Sequence, residues 1–176
     1  ASLRPVALEK SAHAAERLHR RSGREQFQAL LARMEDLIAP LRERLRAGSG
    51  AAGGDAAFAR LESALDAAMD DARDLFRLER DFLLSDRAEA LQAIAESSAD
   101  AVAAFEARLS EARQDVTRRD AAALADIASA WQAYRTTHER IAEIALSNTD
   151  ERARALLTGT VVPAYAELRS EIADAV

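Results

Sequence analysis

Residues 87–116 of this chain carry apolar or small side chains at alternating three- and four-residue steps. Such steps keep side chains on one face of an α-helix, and their alternation forms the seam of a left-handed helical bundle. Residues 55–84, 121–146 and 150–176 carry comparable seams. At 1.5 Å per residue, four segments of about 26–30 residues span roughly 40–45 Å each. The sequence therefore predicts an all-α fold, an antiparallel up-down-up-down four-helix bundle.

The amino-acid composition also favours helices. Alanine, the best helix former, supplies 43 of the 176 residues, and there are only 6 glycines and 3 prolines. Valine and isoleucine, which strands favour, are scarce, and aromatic residues make up 5% of the chain. We therefore expect a core of leucine and alanine layers, in which small side chains let the helices approach closely.

The third of these segments carries a long seam, formed by Leu124, Ile127, Trp131, Tyr134, His138, Ile141 and Ala145. A polar interval at residues 147–150 then interrupts the pattern and offers a capping residue for a new helix. The following segment contains Pro163, and a proline removes a backbone hydrogen bond and bends a helix. These features predict a helical hairpin with its turn at residues 147–150 and a bend at Pro163.

A glycine-rich stretch at residues 48–54 separates these segments from the N-terminal part of the chain. Four glycines in seven residues are unfavourable in a helix, so we expect a flexible linker. The linker divides the chain into residues 1–47 and a four-helix-bundle domain of residues 55–176. Residues 1–47 have an apolar seam of their own and are predicted to form an additional N-terminal helical hairpin, with Ser22 and Gly23 at its turn. One long helix through that point is the alternative.

The N-terminal part also resembles a later part of the chain. Residues 13–31 are similar to residues 138–157, and Pro40 lies within its seam much as Pro163 does. Residues 1–47 are therefore either a partial repeat of the third and fourth helices or a chance likeness between helices rich in arginine and alanine.

Charge and cysteine content exclude several classes of protein. The formal net charge is −6, and the basic excess of residues 1–47 has no interleaved aromatic residues for base stacking. We therefore expect no nucleic-acid partner. The absence of cysteine excludes disulfides and thiol chemistry. No apolar run approaches the roughly 20 residues that span a bilayer.

No residue pattern indicates catalysis or a bound cofactor. A di-iron bundle repeats a Glu-x-x-His motif, whereas Glu16-x-x-His19 occurs once and is interpreted as a surface pair. Glycine-rich phosphate loops, nucleophile elbows and Ser-His-Asp arrangements are absent. The sequence predicts a protein with no catalytic residues, no metal site and no cofactor.

Three arginines, Arg73, Arg77 and Arg80, lie at i, i+4 and i+7 along the first segment after the linker. They flank the apolar seam and could bind a carboxylate through their guanidinium donors. The alternative is pairing along the same helix with acidic residues, namely Asp70, Asp74, Glu79 and Asp81.

Two further places are candidates for ligand contacts. His138 lies on the seam of the third segment and is interpreted either as a buried histidine hydrogen-bonded across the bundle or as a ligand contact. Thr158 and Thr160 lie about one turn before Pro163, where hydroxyls and freed carbonyls could meet a small polar ligand. A purely structural bend is the alternative for the two threonines.

Several of these residues together resemble a known family. Residues 80–86 (RDFLLSD) close the first helix, Trp131 and Tyr134 have the spacing W-x-x-Y, and ALL at residues 155–157 follows the polar turn. In this pattern residues 55–176 are similar to the periplasmic four-helix-bundle sensor domain of bacterial methyl-accepting chemotaxis receptors.

The resemblance implies a domain between two membrane helices that homodimerises through its first and fourth helices. It also implies a small polar ligand, of the carboxylate or amino-acid class, bound near the dimer interface and signalling through a shift of the fourth helix. The nearest counterparts of the arginines and threonines that hold the ligand in the aspartate-type members are Arg73, Arg77, Arg80, Thr158 and Thr160.

We therefore predict the ligand-sensing ectodomain of a transmembrane chemoreceptor, located in the periplasm and anchored in the inner membrane in the full-length protein. The candidate ligand-binding residues are Arg73, Arg77, Arg80, His138, Thr158 and Thr160. The mechanism is a shift of population between two packings of the bundle. The alternative is a structural or adaptor bundle that binds protein partners and no small molecule.

Overall fold

The computed structural model of the chain describes residues 13–47, 52–85 and 87–156. These residues are almost entirely helical and contain no β-strand, which confirms the all-α class. The described residues form four helices. Helix α1 covers residues 13–47, and in it a π-helical turn His19–Gly23 leads into Arg24–Ala47; the others are α2, Ala52–Leu84; α3, Ala88–Asp115; and α4, Ala121–Leu156. In this part of the chain no helix has an apolar stretch long enough to cross a membrane.

Helix α1 passes through the turn that was predicted within residues 1–47. Ser22 and Gly23 lie inside the helix, so a hairpin with its turn at these residues is wrong, and the alternative of one long helix is confirmed for residues 13–47. The physical reason is the π-helical turn His19–Gly23, because such a turn takes up an extra residue without ending the helix.

The turn predicted at residues 147–150 is also wrong, because α4 continues to Leu156. Ser147 stays in the helix and donates its hydroxyl hydrogen bond to the carbonyl oxygen of Ile144, at 3.0 Å. Polar residues disfavour a helix by no more than about 0.7 kcal/mol each. The long buried seam that precedes these four positions can offset that cost. Pro163 and the bend predicted there lie outside the described residues.

The other predicted helix boundaries agree more closely with the structure. Helix α2 begins at Ala52, so the last residues of the predicted linker, Gly53 and Gly54, are helical. Its end at Leu84 and the extent of α3 match the predicted segments. The seams therefore predict helix position well, and the polar or glycine-rich breaks predict it less well.

The core contains residues of all four helices. The predicted seam of α4 is buried throughout, and α1 contributes Phe27, Leu30, Met34, Leu37, Ile38 and Leu41. Aromatic rings join the helices: Phe105 of α3 stacks on Trp131 of α4 at 3.7 Å between ring centroids. Phe27 of α1 stacks on Phe76 of α2 at 4.2 Å. Helix α1 thus packs into the same core as the three helices that follow it.

A partly buried ion pair fixes the start of α4 to the end of α1. The guanidinium of Arg44 donates to both carboxylate oxygens of Asp120, at 2.9 and 3.1 Å. The Thr117 hydroxyl donates to the same carboxylate at 2.7 Å. The hydrogen bonds from Arg44, more than any other cause, hold the pKa of the Asp120 carboxyl below its usual value.

Replacing Asp120 with asparagine should lower the free energy of unfolding by about 1–3 kcal/mol at pH 7, because hydrogen bonds to a charged group are lost. Folding lowers the pKa of Asp120, so its carboxylate contributes stability above the unfolded value of about 3.9. That contribution is lost as the pH falls through the lower folded value. The difference between wild type and Asp120→Asn should therefore shrink below about pH 4, as measured by urea denaturation from pH 7 to pH 3.

Asp115→Asn is the matched control for this prediction. Asp115 accepts two hydrogen bonds from Arg60, at 2.7 and 2.9 Å, in the same two-bond geometry. The Arg60 side chain is 62% exposed, against 22% for Arg44. Because water screens the exposed pair, Asp115→Asn should cost less stability than Asp120→Asn. Equal losses would show that burial of the Arg44–Asp120 pair has no effect.

Candidate functional site

A groove between α1 and α2 brings charged and apolar side chains together. Its volume is about 400 Å³, and its lining residues are Glu35, Ile38, Ala39, Arg42, Asp66, Met69 and Arg73. Steps of three and four residues along each helix place these side chains on the two facing sides. Ile38 and Met69 are buried, whereas the arginines are exposed. The groove therefore offers guanidinium donors and carboxylate acceptors beside an apolar surface.

The two arginines of this groove already have carboxylate partners. Arg42 of α1 donates to Glu62 at 2.8 Å and to Asp66 at 2.6 Å. Arg73 of α2 donates to Asp70 at 2.9 Å, one turn earlier on its own helix, and its side chain is 47% exposed. Exposed ion pairs add little to stability. A ligand carboxylate in the groove could therefore replace Asp70 as the partner of Arg73.

Arg77 lies in a different groove, between α2 and α3, with a volume of about 410 Å³. It donates to Asp74 at 2.9 Å, and Asp71 and Asp100 also line the groove. Burial raises the pKa of the Asp71 carboxyl. With three carboxyl groups and one guanidinium, this groove is poorly suited to an anionic ligand.

The three predicted arginines therefore do not form one site. Arg73 and Arg77 show the pairing along their own helix that the sequence offered as the alternative, and Arg80 is exposed. A further groove between α2 and α3, of about 810 Å³, contains Arg60 and Arg108; the Arg60 guanidinium binds both oxygens of Asp115, and that of Arg108 lies against Glu111. Arg73 is the predicted arginine that shares its groove with a second guanidinium.

A carboxylate is also buried inside the bundle. Glu79 of α2 is fully buried because it lies four residues after Leu75 and three before Phe82, on the apolar face of the helix. A buried ionised carboxylate costs several kcal/mol unless charged or hydrogen-bonding groups compensate it. The interpretation of Glu79 as a surface partner for the arginine row is wrong, since its side chain faces inward.

Two histidines from different helices flank Glu79. Nδ1 of His19, in α1, lies 2.5 Å from Oε1, and Nδ1 of His138, in α4, lies 3.5 Å from Oε2. Their side chains are 14% and 4% exposed. Phe76 stacks on His19 at 5.3 Å, and Phe82 meets His138 edge-on at 6.0 Å between ring centroids. This His19–Glu79–His138 cluster joins three helices through polar contacts within aromatic surroundings.

Tyr134 of α4 belongs to the same polar region. Burial and the negative charge of Glu79 raise the pKa of its hydroxyl far above the usual value, so it stays neutral. The Tyr134 hydroxyl, Oε2 of Glu79 and Nδ1 of His138 are all buried without a hydrogen bond of good geometry. Buried polar atoms are normally bonded. The cluster thus has unused hydrogen-bonding capacity inside an apolar core.

The π-helical turn of α1 lets its backbone approach Glu79 closely. Gly23, the last residue of the turn, is buried. A Cβ atom at this position would lie 2.5 Å from Oε1 of Glu79 and 3.6 Å from Cδ1 of Ile141. Because that first distance is shorter than van der Waals contact, only glycine leaves room for the carboxylate where it stands.

His138 is the predicted site residue that lies in the cluster, and its predicted burial is confirmed. The interpretation of His19 as half of a surface pair with Glu16 is wrong, since Glu16 binds Arg20 and His19 turns toward Glu79. The seam register of α2 was the sequence signal that could have placed Glu79 in the core. The predicted ligand residues Thr158 and Thr160 lie outside the described residues.

Within residues 13–47, 52–85 and 87–156, no group of three or more His, Asp or Glu side chains is arranged to hold a metal ion. No protein-family model, curated protein or solved structure matches this chain. The fold and the site place the chain in a broad class, that of all-α proteins, with a charged groove and a buried carboxylate between two histidines.

Replacing Gly23 with alanine should destabilise the protein by about 1–3 kcal/mol, because the added Cβ must displace the buried Glu79 carboxylate or α1 itself. Helix propensity alone predicts the opposite sign, since alanine favours a helix over glycine by about 1 kcal/mol. Chemical denaturation of wild type and Gly23→Ala measures the change in the free energy of unfolding.

Gly54→Ala is the matched control, because Gly54 also lies in a helix but has nothing within 4 Å of the position of a Cβ atom. This variant should gain about 0.5–1 kcal/mol from the helix preference of alanine. A stabilised Gly23→Ala variant would mean that α1 does not pack against Glu79 as closely as described.

Proposed function

We propose that this chain is the ligand-sensing domain of a bacterial transmembrane chemoreceptor and that it binds a small carboxylate or amino acid. The groove between α1 and α2 is the observation that carries the proposal. Arg42 and Arg73 supply donors for a carboxylate, and Glu35 supplies an acceptor for an ammonium group. Ile38 and Met69 supply an apolar surface for the rest of the ligand. The volume of about 400 Å³ suits a small molecule.

The resemblance of residues 55–176 to chemoreceptor sensor domains, in the RDFLLSD of residues 80–86 and the W-x-x-Y spacing of Trp131 and Tyr134, supports the remaining parts of the proposal. In the full-length protein the domain would lie in the periplasm, be anchored in the inner membrane and form a homodimer. Its output would be a chemotaxis signal carried across the membrane by a helix shift.

We also infer an up-down-up-down arrangement of the four described helices. The Arg60–Asp115 pair joins the start of α2 to the end of α3, and the Arg44–Asp120 pair joins the end of α1 to the start of α4. Each pair brings opposite ends of two helices together, as in antiparallel neighbours. Helix α1 is then the fourth member of the bundle formed by the described residues.

A ligand in the groove would act on the packing of α1 against α2. It would contact Arg42 on one helix and Arg73 on the other, so it would favour whichever packing brings both guanidinium groups to its carboxylate. A ligand can shift an equilibrium only by its difference in affinity for the two states. A groove between two helices gives such a difference in affinity, because the positions of its two guanidinium groups depend on how the helices pack.

A screen of organic acids and amino acids should contain compounds that raise the melting temperature, because a ligand that binds the native state stabilises it. At about 100 times its Kd, a ligand contributes about 2.7 kcal/mol, or roughly 5–10 °C for a chain of this size. Thermal-shift measurements on the whole chain test this. If no compound in a broad library shifts the melting temperature, the sensor proposal fails and the structural or adaptor alternative is favoured.

Arg73→Gln and Arg77→Gln form a matched pair that locates the site. Both arginines are exposed and pair with an aspartate three residues earlier, but they line different grooves. For a compound identified in the screen, calorimetry should show binding at least about tenfold weaker for Arg73→Gln, because a charge-assisted hydrogen bond is lost. Binding to Arg77→Gln should be unchanged. The reverse pattern would place the ligand in the α2–α3 groove.

A further inference from the structure

The two ends of α1 are held in the bundle by different forces. Residues 27–41 bury six large apolar side chains, which anchor that end in the core. Within residues 13–23 only the small residues Ala15 and Gly23 are buried. In that segment the ion pairs of Glu16 stay within α1, whereas the bond from His19 to Glu79 crosses to α2. Docking of residues 13–23 therefore depends strongly on the His19–Glu79–His138 cluster.

The charge of this cluster depends on how many protons its histidines hold. When one of the two histidines is a charged imidazolium, the negative charge of Glu79 is balanced inside the core. When both imidazoles are neutral, the carboxylate keeps a net negative charge in a fully buried position, which is costly because water cannot solvate it. Opening residues 13–23 would expose Glu79 to water and remove that cost.

The other helices supply no substitute for the histidine proton. Tyr134 from α4 faces Glu79 but is a neutral hydroxyl that carries no positive charge. Among the described residues, Glu79 forms ion pairs with His19 and His138 and none with a lysine or an arginine. Histidine is therefore the group whose protonation balances Glu79, and histidine is the side chain that commonly changes its charge at physiological pH.

We propose that protonation of the His19–Glu79–His138 cluster controls the docking of residues 13–23 onto α2 and α4, so that this end of α1 opens as the pH rises from 6 to 8. The direction of this pH dependence follows from the charge balance, because the docked state holds a proton that the opened state releases. Each proton released makes opening more favourable by up to about tenfold per pH unit. This pH-dependent opening arises in the bundle core and does not depend on a ligand in the α1–α2 groove.

Hydrogen exchange of the whole chain at pH 6 and pH 8, corrected for the intrinsic exchange rates, tests the proposal. Amides in residues 13–23 should lose protection at pH 8, by up to about tenfold per pH unit for each proton released. Amides of residues 101–112 in α3 serve as the internal reference and should keep their protection. Equal protection of residues 13–23 at the two pH values, or an equal loss in both segments, would overturn the proposal.

Two variants show which groups are responsible. Glu79→Gln keeps the shape of the side chain but carries no charge to balance, so residues 13–23 should show no pH dependence. His13→Gln removes a histidine of the same segment whose side chain is 63% exposed and which faces Glu16, so the pH dependence should persist. Loss of the effect in His13→Gln, or its persistence in a folded Glu79→Gln, would contradict the proposal. The wild-type comparison decides the question if Glu79→Gln does not fold.

Discussion

The packing of α1 against α2 and α4 is the interaction on which the rest of the structure depends. The ring of Phe27 stacks on Phe76 of α2 and lies 5.6 Å from that of Tyr134 of α4, so one side chain of α1 closes the core against two helices. Both candidate sites lie at this interface. The charged groove forms where α1 meets α2, and the buried carboxylate sits where the π-helical turn approaches α2 and α4. A change in the position of α1 would therefore alter the groove and the cluster together.

The interface is apolar at one end of α1 and polar at the other, and this division has consequences for its dynamics. Apolar burial contributes stability that hardly depends on pH, whereas a buried cluster of ionisable groups contributes stability that follows its proton count. One end of α1 can therefore respond to conditions while the other holds the helix in place. Proteins commonly open in such local units at free energies well below that of global unfolding. The proposed sensing function would need this combination, because a signal requires two packings of one intact fold.

The sequence predicted the features that depend on helical periodicity and missed those that depend on tertiary contacts. The seam of α4 from Leu124 to Ala145 is buried as predicted, because apolar spacing reports the buried face directly. The turns at Ser22–Gly23 and at residues 147–150 are absent, because weak helix formers end a helix only where packing does not override them. The cluster was missed since glutamate on a helix normally faces water, and its two histidines come from α1 and α4. Their approach to Glu79 requires the order of the helices in space, which periodicity does not contain.

The presence of glycine at position 23 and the buried position of Glu79 depend on each other. Glycine weakens a helix, and a buried carboxylate weakens a core, so neither residue suits a bundle built for stability alone. At 2.5 Å from the Cβ position of residue 23, however, Oε1 of Glu79 occupies space that only glycine leaves free. Sliding α1 by one residue would bring a side chain into this space and move His19 away from the carboxylate. We infer that the pair fixes the register of α1 against α2, and that the stability it costs makes the docking of residues 13–23 sensitive to the charge of the cluster.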